Sequence, residues 1–262
     1  MRVIVSYCSE HGRNKKECED SALIGHQVIN EKAGTVELLT PCCICLCDGV
    51  GGNAGGQEAS LFVAQELGAA DVPHRVTDIM ERFIDINNRL IERAQMTADH
   101  KRMATTATAL FLSDDSVCMA HVGNTRLYTE HEASVFQLSV DQTVYQWFRD
   151  HGLRVFANAR NRDVIYGAMG GGRPKGMRPL VVKQLSESPV PSTFLLTSDG
   201  VHESLSQDEI EAILKSDASM LDKAKKLCSA ALDRGSEDDR SVIIIRTEDN
   251  NIFSKTQKAV WT

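Results

Sequence analysis

Apolar positions along this chain fall into two kinds of run, and the two kinds are grouped rather than interleaved. VIVSY (3–7), ALIGHQVI (22–29) and TVELL leading into CCICLC (35–47) are short apolar or alternating stretches bounded by polar turns, and each reads as a strand. Helical spacing follows in Ala59, Phe62, Val63 and Leu67. A wider stripe runs through Val76, Ile79, Met80, Phe83, Ile86, Leu90, Ile91 and Ala94. TTATALFL, SVCMAHV, TRLYTE and SVFQL (105–138) then predict a meander of four antiparallel strands. TVYQWFRDHG predicts a short helix closed by Gly152. Residues 153–191 are rich in Gly, Arg and Pro with few periodic positions, and read as an excursion over the surface. STFLLTSDG (192–200) is again a strand running into Asp-Gly. Two helices come next, the second with Met220, Ala224, Leu227, Cys228, Ala231 and Leu232 on one face, and SVIIIR (241–246) is the last strand. Strands adjacent in sequence, with long helices between the sets, predict a layered α+β protein and not an alternating βαβ chain.

Composition narrows this picture only a little. A chain of 262 residues makes one large domain or two small ones, and its net charge of −7 argues against a general nucleic-acid binder. The charge is unevenly spread: Leu153 to Lys183 holds seven Lys or Arg against one acid, Asp163. Such a stretch could attract a phosphorylated partner or be a solvated loop. The apolar run in MRVIVSYCSEHG is too short for a signal peptide, and no run reaches the length of a membrane span, so a cytoplasmic protein with no membrane partner is expected. Eight cysteines then read as thiols. Cys43, Cys45 and Cys47 alternate with Ile44 and Leu46 and lack a His/Cys cluster at zinc spacing. They read as small hydrophobes in a strand buried on both faces.

The segment CLCDGVGGNAGG (45–56) raises a sharper question. Gly49, Gly51 and Ala54 fit the spacing of a dinucleotide-binding turn. Asp48 at its head is a poor neighbour for a pyrophosphate, and AQELGAAD before Asp71 is helix end and loop where that fingerprint needs a second strand. Carboxylates give a better reading. Asp48 follows an apolar strand, Asp199 follows FLLT, Asp238 and Asp239 precede SVIII, and Glu19–Asp20 precede ALI. Acids at the ends of strands in one layered sheet can converge, and converging carboxylates repel unless a cation neutralises them. Oxygen ligands suit magnesium or manganese. A single Asp-Gly is most often a turn; two DGV elements and an acid pair, each at a strand end, make coincidence a weaker account.

Eight motifs then carry a resemblance: ECEDS (17–21), CDGVGG (47–52), ATTATA (104–109), AHVGNTRLY (120–128), LSVDQ (138–142), VIYGAMG (164–170), TSDGVHE (197–203) and EDDRSVI (237–243). In this order they resemble the PPM, or type 2C, metal-dependent serine/threonine protein phosphatases, most of all the compact bacterial members, over nearly the whole chain. The resemblance implies a single domain over 1–262 built as a four-layer αββα sandwich of two antiparallel sheets flanked by helices. It implies two Mn or Mg ions, bridged by Asp48 and completed by the Gly49 carbonyl, Asp199 and Asp238, with Asp20 acting through water. Asp239 and Glu19 are further candidates. The implied reaction is hydrolysis of phosphoserine or phosphothreonine in proteins by a metal-activated water, with a phosphorylated protein, a kinase or a kinase target as partner.

The chain also departs from that pattern. Lys15 stands where the family usually has a phosphate-gripping arginine, with Arg13 as an alternative donor or a solvated turn residue. Cys18 replaces an Asn, Gln142 a His, Ala104 a Gly, Val50 a His of the animal relatives, and Asp239 the Asn of a DN pair. Asn124 replaces an Asp that holds a third ion, so a third ion is not expected. Thr105 and Thr106 fit simply as strand residues and His121 as a core histidine. The departures motivate an alternative: a weakly active or inactive phosphoprotein-binding regulatory module.

Overall fold

The structure, a computed structural model, describes residues 1–50, 55–96, 102–131, 134–158, 161–171, 180–187 and 191–249. Gly51 and Ala54 of the glycine-rich segment and parts of the 153–191 stretch lie outside the described residues. The chain opens with β1 (Arg2–Glu10), β2 (Asp20–Ile24), β3 (Gln27–Ile29), β4 (Ala33–Leu39) and β5 (Cys42–Asp48). Helices α1 (Gly56–Gly68) and α2 (Val76–Met96) follow, then β6 (Ala104–Thr105), β7 (Ala107–Leu112), β8 (Val117–Val122), β9 (Arg126–His131) and β10 (Ser134–Gln137). After α3 (Val144–Asp150) come β11 (Met169–Gly170), β12 (Val181–Ser186) and β13 (Thr193–Thr197). Helices α4 (Asp199–His202), α5 (Gln207–Leu214) and α6 (Met220–Asp233) lead to β14 (Arg240–Glu248).

Two antiparallel six-stranded sheets stack face to face, one ordered β10-β9-β13-β14-β1-β4 and the other β12-β8-β7-β5-β2-β3. Strand alternation assigns the faces. In β5, Cys43, Cys45 and Cys47 pack under α1 and α2 with Val63, Phe83 and Leu90, while Ile44 and Leu46 point into the layer between the sheets. In β14, Ile243 and Ile245 enter that same layer and meet Val3 and Val5, whereas Val242 and Ile244 pack with Leu227 and Cys228 of α6. Each sheet is thus covered on both faces, which explains why its central strands are apolar throughout rather than alternating. This is the expected αββα sandwich. All eight cysteines are free and buried. Among the described residues no helix is long and apolar enough to cross a membrane.

Four expectations change. ALIGHQVI is two strands, not one: β2 and β3 form a hairpin around Gly25, whose φ of +64° only glycine adopts easily. The 105–138 meander is divided between the sheets. β7 pairs with β8 in one and β9 with β10 in the other, and the chain crosses over at Gly123 (φ +110°), where a Cβ would lie 2.5 Å from Thr106. Within the 153–191 stretch, β12 is an edge strand paired to β8 and β11 pairs with β6. Met80, placed on the apolar stripe by spacing, is 40% exposed.

Phe83 is fully buried and packs edge-on against Phe111 between α2 and β7. Phe83→Ala is expected to lower the unfolding free energy by about 3–5 kcal/mol, the usual cost of an aromatic cavity, measured by urea denaturation. A loss under about 1 kcal/mol would mean that this helix layer is not packed as described.

Candidate active site

Antiparallel pairing brings one set of strand ends to one place. β5 ends at Asp48, and its neighbour β2 begins at Asp20, the two residues being direct partners across the ladder. β8 ends two residues before Asn124. In the facing sheet β13 ends just before Asp199, β14 begins just after Asp239, and β1 ends at Glu10 opposite Arg240. The 11–19 loop therefore starts at the same edge.

Backbone crossings tie these ends together. A Cβ on Gly49 would lie 2.5 Å from the Gly56 backbone, one on Gly200 2.1 Å from the Asp239 carbonyl, and one on Gly12 2.3 Å from the Glu237 carbonyl. In both Asp-Gly elements, then, glycine serves close approach. Thr105 and Thr106 also do more than strand duty. The Thr105 hydroxyl and the Thr106 amide donate to the Asp48 carbonyl, each at 2.8 Å, and the Asp48 amide donates to the Thr106 hydroxyl at 3.0 Å. ATTATA marked their place in the strand; only the fold shows that they grip Asp48.

The carboxylates feel one another. Asp20 is fully buried and neither of its oxygens has a hydrogen-bond partner. Burial first, then the charge of Asp239, pushes its carboxyl up to about 8. Asp48 is raised well above the ordinary range by desolvation, then by Asp199, Asp20 and Asp238. Asp199 is pushed up to about 6 by burial and then Asp238, partly offset by the Asn124 amide, which donates to its Oδ2 at 2.9 Å. An unpaired buried carboxylate among three others is a costly arrangement that a hard divalent cation would offset. The donor set, all oxygen, fits such an ion. Among the described residues, no three His, Cys, Asp or Glu side chains already enclose one.

The remaining candidates divide. Lys15 reaches Asp238 at 2.5 Å and Glu19 and Asp239 at 3.0 Å each. Burial works against its ammonium, but these carboxylates outweigh that and hold its pKa above the usual lysine value. Arg13 is not brought to the group; it is exposed and lines a separate cavity with Glu10, Glu31 and Arg240. His121 is satisfied in the core by Thr108 and the Val140 carbonyl, both at 2.9 Å. Gln142 braces the crossover, accepting from the Gly123 amide at 2.9 Å and donating its own amide to the Gly123 carbonyl at 2.8 Å.

A cavity of about 550 Å³ opens over this edge, lined by Lys15, Asp163, Asp199, Glu203, Glu237 and Asp238. Sequence reasoning missed Glu203, whose carboxyl is pushed up to about 7 by burial and then by Asp199 and Asp163. Asp163 had stood out only as the one acid in a basic stretch.

No protein-family model matches the chain. It is 26% identical over 219 residues to a putative protein phosphatase 2C-type from Streptococcus pyogenes, covering 80% of this chain and 87% of that one. It is 25% identical over 221 residues to the serine/threonine protein phosphatase PstP of Mycobacterium tuberculosis, covering 82% of this chain and only 42% of the relative's length. The catalytic domain of a serine/threonine protein phosphatase PstP, solved in complex with two manganese ions, superposes with a TM-score of 0.73 at 22% identity, covering 95% of this chain and all of that one.

The raised carboxylates set a pH dependence. Between about pH 4 and pH 8 the folded chain keeps a proton on Asp20 that the unfolded chain, with an ordinary value of 3.8, has released. The stability contributed by Asp20 is therefore fully present below that window and falls as pH rises through it. EDTA-treated protein is expected to melt at a lower temperature at about pH 8 than at about pH 5.5, with Asp20→Asn narrowing the difference. A melting temperature that rises with pH, unaltered by Asp20→Asn, would refute this account.

Proposed function

We propose that this chain, which has the fold and the sequence pattern of the PPM-type bacterial serine/threonine phosphatases, hydrolyses phosphoserine and phosphothreonine in proteins at the carboxylate edge of its two sheets. One observation carries the reading: Asp20 is buried without a partner beside Asp48, Asp199 and Asp238, a gathering of carboxylates that bound divalent cations would neutralise. Two manganese or magnesium ions would be held by Asp48, the Gly49 carbonyl, Asp199 and Asp238, with Asp20 through water and with Asp239 and Glu19 as nearby acids. When bound, they would supply a water acidified for in-line attack and would neutralise charge on the phosphoryl group. The protein's own part is orientation. Thr105 and Thr106 fix the Asp48 backbone, Asn124 fixes the Asp199 carboxylate, and among the described residues that line the cavity Lys15 is the cation that would meet a phosphate. The partner would be a phosphorylated protein, a kinase or a kinase target.

Asn124 also bears on ion number. Its amide nitrogen donates to Asp199, so this atom repels rather than ligates a further ion. Two ions, not three, are proposed. The alternative, a weakly active phosphoprotein-binding module, is favoured by Lys15, which is shared among three carboxylates where a free arginine fork would grip phosphate.

Hydrolysis of p-nitrophenyl phosphate and of a phosphothreonine peptide, with manganese titrated against an EDTA blank, tests the proposal. Turnover is expected only with metal, and Asp48→Asn or Asp199→Asn is expected to lower it by roughly a thousandfold or more. Bound manganese without turnover would make the binding module the better reading. Asn124→Asp is expected to increase the manganese sensitivity of the rate; an unchanged titration would count against the two-ion assignment.

A further inference from the structure

The loop between β1 and β2 is anchored by one buried side chain. Asp239 is 2% exposed, and its carboxylate accepts the Gly12 amide at 2.7 Å, the Glu19 amide at 2.8 Å and the Lys15 ammonium at 3.0 Å. The same ammonium donates to Glu19 at 3.0 Å and reaches Asp238 at 2.5 Å. Asp238 is different in kind from Asp239: its side chain is 53% exposed and faces the cavity that also holds Asp199. Lys15 therefore bridges an inward carboxylate held by two backbone amides and an outward one that is a proposed metal ligand.

Two of the chain's departures meet in this contact. Lysine stands in place of arginine at 15, and aspartate in place of asparagine at 239. An isolated Asp239 would add an uncompensated buried charge next to Asp20, whose carboxyl already feels it. Lys15 supplies the compensation, its ammonium serving Asp239, Asp238 and Glu19 at once.

We propose that Lys15 and Asp239 work as a pair: Asp239 is a positioning residue that tethers Lys15, and the tethered ammonium is an internal counter-cation competing with a divalent ion for Asp238. This rests on the reading of Asp238 as a metal ligand. Loading an ion on Asp238 frees the ammonium from that carboxylate, while Asp239 keeps it at the rim of the cavity, where a substrate phosphate would lie. The exchange couples metal occupancy to the cation offered to phosphate, with no movement of the Gly12 and Glu19 amides.

The test is manganese affinity, read by titration calorimetry on the EDTA-stripped full chain without substrate. Lys15→Gln is expected to bind manganese on the order of tenfold more tightly at low salt, with the gain shrinking at high salt, and Lys15→Arg to stay near the wild type. In an Asp239→Asn background the gain from Lys15→Gln is expected to change by at least about threefold, as it must for interacting residues. An unchanged or weakened affinity in Lys15→Gln, or a gain independent of residue 239, overturns the proposal. The wild type gives a second readout that no misfolded variant can confound. Reductive methylation of Lys15, scored by mass spectrometry against Lys226, is expected to rise on manganese loading; equal labelling overturns the proposal. If the wild type neither binds manganese nor turns over phosphate, the phosphatase reading fails and this one with it. Manganese-dependent turnover with unaltered affinity in Lys15→Gln refutes the pair alone.

Discussion

Electrostatic repulsion among Asp20, Asp48, Asp199 and Asp238 is the constraint on which this molecule turns. Burial and mutual charge raise the first three carboxyls above their ordinary range, Asp20 to about 8 and Asp199 to about 6. Such a group does not assemble for its own stability. It is held by the rest of the fold, whose two sheets and helix layers bury three apolar clusters, one between the sheets and one under each helix layer.

Close backbone contact and side-chain hydrogen bonds together hold the edge. Gly12, Gly49 and Gly200 each lie where any larger residue would enter another segment's main chain. The Ser236 hydroxyl caps the Gly200 carbonyl at 2.7 Å, and Ser198 bonds both the Asp239 carbonyl and the Ser241 amide. The turn that carries Asp199 is thereby locked to the turn that carries Asp238. Strand ends from both sheets are fixed to one another, and the acids inherit that spacing.

Where the sequence departs from the phosphatase pattern it resembles, particular contacts absorb the change. Cys18 is fully buried beneath the 11–19 loop, its thiol pushed upward by burial and then by Asp20, and it lies 3.7 Å from the Ser9 hydroxyl. Gln142 takes up the Gly123 amide at the crossover between sheets. Asn124 satisfies one oxygen of Asp199. Each of these side chains is part of the scaffold around the acids. Charge changes at two places, where Asp239 adds a negative charge and Asn124 removes one, while Lys15 keeps the charge of the arginine it replaces.

Much of this was legible in the chain itself. The grouping of strands and helices, the two-faced burial of CCICLC and the placing of Asp20, Asp48, Asp199 and Asp238 at strand ends follow from local pattern, because period and turn chemistry are properties of neighbouring residues. Other features were not legible. Whether ALIGHQVI bends at Gly25, whether the chain changes sheets at Gly123, and whether Arg13 or Lys15 faces the acids depend on partners distant in sequence. So do the grip of Thr105 and Thr106 on Asp48 and the approach of Glu203 to Asp163. The sequence by itself determined which residues could carry charge to the edge of a sheet. Only the tertiary structure decided which of those charges meet, because the distance between them is set by packing between two sheets and not by spacing along one chain.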